Sequence, residues 1–368
     1  MSDREAVRAP YMHWSKTHPP APHELTGSNL SPVALAELPR ARDTLALSGP
    51  NDEGYTPFVG AIAARYGVEA TRVCTATGTS GANFLAMAAV LRAGDEVLIE
   101  CPAYDPILGI AEMLGARALR FDRRFDRGFQ PDPDEIEAAM TPRTRLIVLT
   151  NLHNPSGVAL SSETLAEIGR RADAAGAKVL VDEVYRECAF EATPPLAASL
   201  GDTFISTNSL TKSWGLAGLR AGWVIASHDV AEGARRARDV VDAVGSFPSE
   251  VLATLALEQA EKLLERSRSI LLRNSRLLAD LMSDAAVDDI VDWVRPPAGS
   301  PVAFPRLLGT DDAGRFVKWL HDGFGVGVVP GRFFQTPAHF RVAVGGEPSA
   351  VEPALDALRE GLFAWRDR

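Results

Sequence analysis

Between residues 96 and 226 short apolar runs alternate with helical patterns, and this alternation constrains the fold more than any other feature of the chain. Residues 96–100 (EVLIE), 116–121, 145–150 (RLIVLT), 178–181, 203–208 and 222–226 read as strands. Residues 106–114, 134–140 and 162–175 carry apolar positions at helical spacing. Strands that are apolar throughout, separated by helices of this length, predict a mainly parallel sheet covered on both faces. Upstream, Phe58, Ile62 and Tyr66 predict a helix closed by Gly67, and Gly78-Thr79-Ser80-Gly81 opens another that ends near Arg92.

Past residue 230 the rhythm changes. Residues 231–242 and 248–283 read as long amphipathic helices, 290–345 as short strands, and 350–365 as a closing helix. The expectation is an α/β protein in three parts. Residues 1–47 form an arm and part of a small domain, 48–265 a large domain around the parallel sheet, and 266–368 a smaller α/β domain.

Several classes of protein are disfavoured. With 38 basic and 48 acidic residues the net charge is −10, which argues against a nucleic-acid-binding surface. No apolar run reaches the roughly 18 residues that a membrane span needs. The first residues, Met1-Ser2-Asp3-Arg4-Glu5, carry no apolar core of a secretory signal. Cys74, Cys101 and Cys188 are few and scattered, which fits a reducing cytoplasm, and no metal-ligand spacing is present.

Ligands of parallel sheets gather at the carboxyl ends of the strands. There the sequence places Asn154-Pro155-Ser156-Gly157, then Asp182-Glu183-Val184-Tyr185, then Ser209-Leu210-Thr211-Lys212 with Gly215 and Arg220 beyond. Each strand end delivers a polar side chain to one rim.

Together these segments resemble the class I/II aminotransferases, enzymes of fold type I that depend on pyridoxal 5′-phosphate (PLP). The stretch Ser209–Gly222 is similar to their lysine-site signature. Asn154-Pro155-Ser156-Gly157 is similar to their N-P-[ST]-G loop, Asp182–Tyr185 to their D-x-x-Y, and Phe340-Arg341-Val342 to the segment of their substrate-carboxylate arginine. The resemblance runs from about Gly27 to Gly345. Leu152 stands where a proline is common in that loop.

The resemblance implies a role for each residue. Lys212 forms an imine with the cofactor aldehyde and then acts as acid and base at the substrate Cα. A buried carboxylate at Asp182 keeps the pyridine nitrogen protonated. Asn154 and Tyr185 donate to the ring oxygen. Gly78, Thr79 and Ser80 at a helix start, with Ser209 and Arg220, hold the phosphate. Tyr104 stacks on the ring. Tyr55 reaches the phosphate of the neighbouring subunit, implying a homodimer with shared sites. Arg341, with Gly27 and Asn154, binds the substrate, the guanidinium meeting the α-carboxylate with paired N–H donors.

The implied reaction moves an amino group between an α-amino acid and a 2-oxo acid in two half-reactions. A PLP-dependent lyase, by C–S β-elimination or related chemistry, is the alternative on the same scaffold. A non-catalytic PLP-binding regulatory module is a third, and the N-terminal stretch leaves little room for its DNA-binding segment. The arm cluster Tyr11, His13, Trp14 and Lys16 is expected to be surface packing, the other possibility being a lid against the substrate side chain. No residue is assigned to a second substrate carboxylate.

Overall fold

A computed structural model describes residues 6–368, with the backbone alone at Glu191. Its centre is a seven-stranded sheet: β1 (Val73–Thr77), β2 (Glu96–Cys101), β3 (Arg117–Asp122), β4 (Thr144–Thr150), β5 (Lys178–Asp182), β6 (Phe204–Ser209) and β7 (Ala221–Ile225). The spatial order is β1-β7-β6-β5-β4-β2-β3. All neighbours are parallel except β7, which runs antiparallel to both β1 and β6.

Alternation of side chains explains why both faces are covered. Val97, Ile99, Leu146 and Val148 pack on one face with Leu85, Met87, Ile107, Ile110 and Val230. These come from the helices Gly78–Val90, Asp105–Met113 and His228–Val241. The interleaved Leu98, Ile147, Leu149 and Val179 pack on the other face with Ile136, Leu165 and Ile168. A sheet buried on both sides leaves its strand ends as the places where polar side chains meet solvent.

Two elements of this unit differ from the sequence reading. Strand β1 was not expected, because Val73-Cys74-Thr75-Ala76-Thr77 is short and interrupted by hydroxyls. It lies at the sheet edge, paired on one side only, where a weak apolar pattern suffices. The antiparallel β7 has a positional consequence. It starts at the rim where the parallel strands end, with Ala221 opposite Thr77 and Gly222 opposite Ser209. The residue before it, Arg220, is thereby delivered to the same rim.

The predicted 248–283 helix is two helices, Phe247–Glu258 and Ala260–Met282, broken at Gln259. The second packs Leu263 with the large unit, Leu271 with the loop layer beneath the site, and Leu278 and Leu281 with the C-terminal core. That last core holds three small sheets, among them the antiparallel ladder in which Phe340–Ala343 pairs with Val302–Ala303 and Val329–Pro330. The N-terminal arm joins it through His23–Glu24, which pairs in parallel with Val326–Gly327. A helix, Gly314–Phe324, replaces part of the short-strand pattern expected over 290–345. Phe316, Val317 and Leu320 form its buried face, a period masked in the sequence by the Val326–Val329 run that follows.

Candidate active site

Thr150, Asp182, Ser209 and Ala221 mark the ends that matter, and a cavity of about 570 Å³ opens above them. Gly27, Thr79, Ser80, Tyr104, Asn154, Asp182, Tyr185, Lys212, Arg220 and Arg341 all line it. These ten come from segments spread over more than 300 positions of the chain. Gly78, Ser209 and Tyr55 do not line it.

Lys212 sits on the turn after β6. Its Nζ donates to Asn29 Oδ1 (2.7 Å) and Ser28 Oγ (3.0 Å). Burial, reinforced by the nearby positive charges of Arg341 and Arg220, lowers its pKa to about 7 against the pull of Asp182. At neutral pH much of this amine is therefore unprotonated, as a nucleophile or base must be.

Asp182 ends β5. Oδ2 accepts from Asn83 Nδ2 (2.7 Å) and Oδ1 from the Val184 N–H (3.1 Å). Thr207 in turn donates to Asn83 Oδ1 (2.5 Å). Burial raises the Asp182 pKa to about 6, and these hydrogen bonds oppose the rise. Asn83 and Thr207 were not singled out in the sequence. They lie mid-helix and mid-strand, where polar residues carry no motif.

Asn154 is fixed by a buried network. Glu100 and Arg123, both inaccessible, pair at 2.8 Å. Glu100 Oε1 accepts from the Thr150 N–H (2.8 Å) and hydroxyl (2.5 Å), and Thr150 Oγ1 accepts from the Asn154 N–H (3.0 Å). His153 ties the same loop to the one bearing Tyr104: Nε2 donates to the Pro102 carbonyl (3.0 Å), so Nδ1 accepts from Ser156 (2.6 Å). Burial and the Arg123 charge hold His153 neutral. Tyr185 donates to Ser28 Oγ (2.6 Å), which joins its hydroxyl to the Lys212 amine through one shared acceptor.

An anion cradle lies at the start of the Gly78–Val90 helix. Its first-turn N–H groups have no intrahelical partners and carry the positive end of the helix dipole. Gly78 has φ +70°, and a Cβ there would come within 2.8 Å of the Arg220 Cζ. A Cβ on Gly222 would come within 2.6 Å of the Gly78 carbonyl carbon. Both glycines are thus required for the guanidinium to lie over the helix start. Among the described residues no carboxylate pairs with Arg220; its one partner is the Ala217 carbonyl at 3.4 Å. Ser209 is fully buried behind this cradle. Its hydroxyl accepts from Thr79 (2.7 Å) and donates to Thr211 (2.8 Å), so it supports the cradle from below.

Arg341, fully buried, projects from the small ladder. Nη1 donates to Asn154 Oδ1 (3.0 Å), and Nη2 to the Tyr11 hydroxyl (2.6 Å) and the Thr26 carbonyl (2.9 Å). The guanidinium lies 5.1 Å from the ring centroids of both Tyr11 and Phe334. None of these partners is a carboxylate. An ordinary salt bridge is therefore absent among the described residues, and Nε has no partner. A buried cation held only by neutral groups suits an incoming carboxylate.

The arm departs from its expected surface role. Residues Pro10–Thr17 form a helix whose Tyr11 is buried, with its backbone N–H donating to Asp105 Oδ2 (2.9 Å). Tyr11, Met12, Ser15 and Lys16 line the cavity, and Met12 Sδ accepts from the Tyr104 hydroxyl (3.1 Å). Trp14 stacks on His18 with ring centroids 4.2 Å apart, and His13 is exposed. Tyr55 stands elsewhere, edge-on to Phe247 at 5.2 Å, with its N–H on Glu250 Oε2 (2.8 Å).

The donor set fits a flat, phosphorylated, aldehyde-bearing heterocycle. In such a fit the cradle would take the phosphate, Asp182 the ring nitrogen, Asn154 and Tyr185 the ring oxygen, and Lys212 the aldehyde. Among the described residues no group of three or more histidine, cysteine, aspartate or glutamate side chains could hold a metal.

Residues 22–358 match the family model described as aminotransferase class I and II. The chain is 33% identical to capreomycidine synthase of Streptomyces vinaceus over 79% of its own length and 74% of that protein. It is 32% identical to a probable N-succinyldiaminopimelate aminotransferase of Mycobacterium tuberculosis, over 86% and 81%. Its backbone superposes with a TM-score of 0.90 on a PLP-dependent aminotransferase from Streptococcus suis, 28% identical, covering 98% of each chain.

Proposed function

The chain belongs to the class I and II aminotransferase family and depends on pyridoxal 5′-phosphate, and we propose that Lys212 carries the cofactor and moves the substrate proton while Arg341 anchors the substrate carboxylate. The enzyme moves an amino group between an α-amino acid and a 2-oxo acid. The observation that carries the assignment of roles is the cavity shared by an amine with a pKa of about 7 and a buried guanidinium free of any acid partner.

When bound, the cofactor supplies an aldehyde that condenses with amines and a ring that draws electrons from the substrate Cα. The chain's own residues do the rest. Arg341 meets the α-carboxylate with two N–H donors and so fixes where Cα lies. Lys212 Nζ, in the share that is unprotonated at neutral pH, accepts the Cα proton. Asp182, held by Asn83 and Val184, keeps a proton on the ring nitrogen, and that cation in turn favours its carboxylate form. Asn154 spends its carbonyl on Arg341 and keeps its amide N–H groups for the ring oxygen. Arg220 and the helix start hold the phosphate. Purified holoenzyme should pass label from a ¹⁵N-amino acid to an unlabelled 2-oxo acid, and a panel of donors and acceptors without any such transfer would overturn the reading.

We also propose a cytoplasmic homodimer in which Tyr55 serves the neighbouring site. Tyr55 stands away from its own cavity. Segments 45–55 and 240–250, joined by an Asn51 to Gly245 hydrogen bond (2.7 Å), carry the exposed Leu45, Leu47, Val240, Val241 and Val244. Such apolar exposure suits a covered face. Mixing Tyr55→Phe with Lys212→Ala chains should then restore activity above the sum of the two.

The likeness to a solved PLP-dependent cyclase, 27% identical with a TM-score of 0.86, supports a second reading, ring closure at the same site. It predicts product formation without any 2-oxo acid acceptor.

A further inference from the structure

The cavity is lined by one cation to which the reading above gives no role. Among the described residues its lining cations are Lys16, Lys212, Arg220 and Arg341, and its one lining carboxylate is Asp182. On the reading above, Arg220 answers the phosphate, Arg341 the α-carboxylate, Asp182 the ring nitrogen and Lys212 the aldehyde. Lys16 is left over.

Among the described residues no carboxylate pairs with Lys16. Glu24, which lines the adjoining cleft, points its oxygens at other groups, Oε1 at the Ala21 N–H (2.7 Å) and Oε2 at the Thr26 hydroxyl (2.7 Å).

The placement of Lys16 is set by the helix that carries it. Tyr11 pins that helix to Arg341 through its hydroxyl and to Asp105 through its backbone. Tyr11, Met12, Ser15 and Lys16 fall on one helical face, the face turned to the cavity. Five residues at 1.5 Å each put Lys16 about 7.5 Å along the axis from Tyr11. The cavity wall therefore presents one cation to the α-carboxylate and a second, further along, to whatever the substrate side chain ends in.

We propose that Lys16 binds a distal carboxylate of the substrate, so that the enzyme prefers α-amino acids and 2-oxo acids with a second carboxylate over their neutral amides. This rests on the role given to Arg341 above and adds the side-chain end of the substrate. Lys16 is exposed, so the effect is that of a solvent-screened pair.

The test titrates holoenzyme with glutarate and with its half-amide, read from the cofactor absorbance. Both ligands offer one carboxylate to Arg341, and only glutarate offers another to Lys16. Glutarate is expected to bind tighter, by up to about fivefold. The ratio should fall toward one in Lys16→Met, persist in Lys16→Arg and drop below one in Lys16→Glu. The kcat/KM ratios of glutamate to glutamine and aspartate to asparagine should move the same way. A wild-type ratio of one, no binding of glutarate, or a ratio unchanged in Lys16→Met overturns the proposal. Such a failure leaves amino transfer intact, because alanine would still serve as a donor. Loss of transfer from every donor would instead strike the proposed function, while the glutarate ratio would still decide the role of Lys16.

Discussion

The two halves of the cavity are built differently. The cofactor half comes from one rigid source: Lys212, Asp182, Asn154, Tyr185 and Arg220 all stand within a few residues of strand ends in a single sheet. Asp182 and Asn154 are held from beneath within that unit, by Asn83 with Thr207 and by Glu100 with Arg123 through Thr150, while the Lys212 amine and the Tyr185 hydroxyl reach out to Ser28 of the N-terminal segment. The substrate half is assembled from distant pieces. Arg341 meets Tyr11 across 330 positions and Thr26 across 315. A site so divided can keep its chemistry constant while the arm and small domain change which side chain they admit.

That contrast orders the expected effects of mutation. Removing the carboxylate of the cofactor half should cost most. Asp182→Asn is expected to retain cofactor and lose at least about a hundredfold in the single-turnover rate with a good donor, or 2.7 kcal/mol. A rate within about tenfold of wild type would break the assignment of Asp182 to the ring nitrogen.

Arg341→Lys, in the substrate half, comes next. It should fold, keep the cofactor spectrum, and lose about 1.5–3 kcal/mol in kcat/KM, alike for amino acid and 2-oxo acid, since both present the same carboxylate. A fall in thermal stability with kcat/KM unchanged would make this arginine structural.

Tyr11→Phe is the smallest of the three. The ring stays and only the hydroxyl on Arg341 goes, a loss of about 1 kcal/mol. It should raise KM several-fold for both substrates and leave kcat nearly as it was. Equal losses in kcat would place Tyr11 in the cofactor half after all.

The same contrast explains what could be read from the sequence. Strand ends in a parallel sheet converge by topology, so Asn154, Asp182 and Lys212 could be placed on one rim from local patterns alone. Arg220 needed the motif resemblance, because nothing in Gly222–Ala226 announces an antiparallel strand. Tyr11 was legible as an unusual residue and not as a contact, since no local rule links position 11 to position 341. Asn83 was invisible, a polar residue in an apolar helix whose purpose exists only once Thr207 and Asp182 surround it.

The central claim is that Lys212 holds the cofactor with an amine of lowered pKa. Borohydride reduction of holoenzyme followed by peptide mass mapping tests it directly, and cofactor loading of apoenzyme across pH adds the titration. The account predicts the label on the Lys212 peptide alone. It also predicts a loading rate that rises as pH passes through about 7 and then levels, because only the unprotonated amine reacts. Label on another lysine, or a rate still climbing toward pH 10, would contradict it.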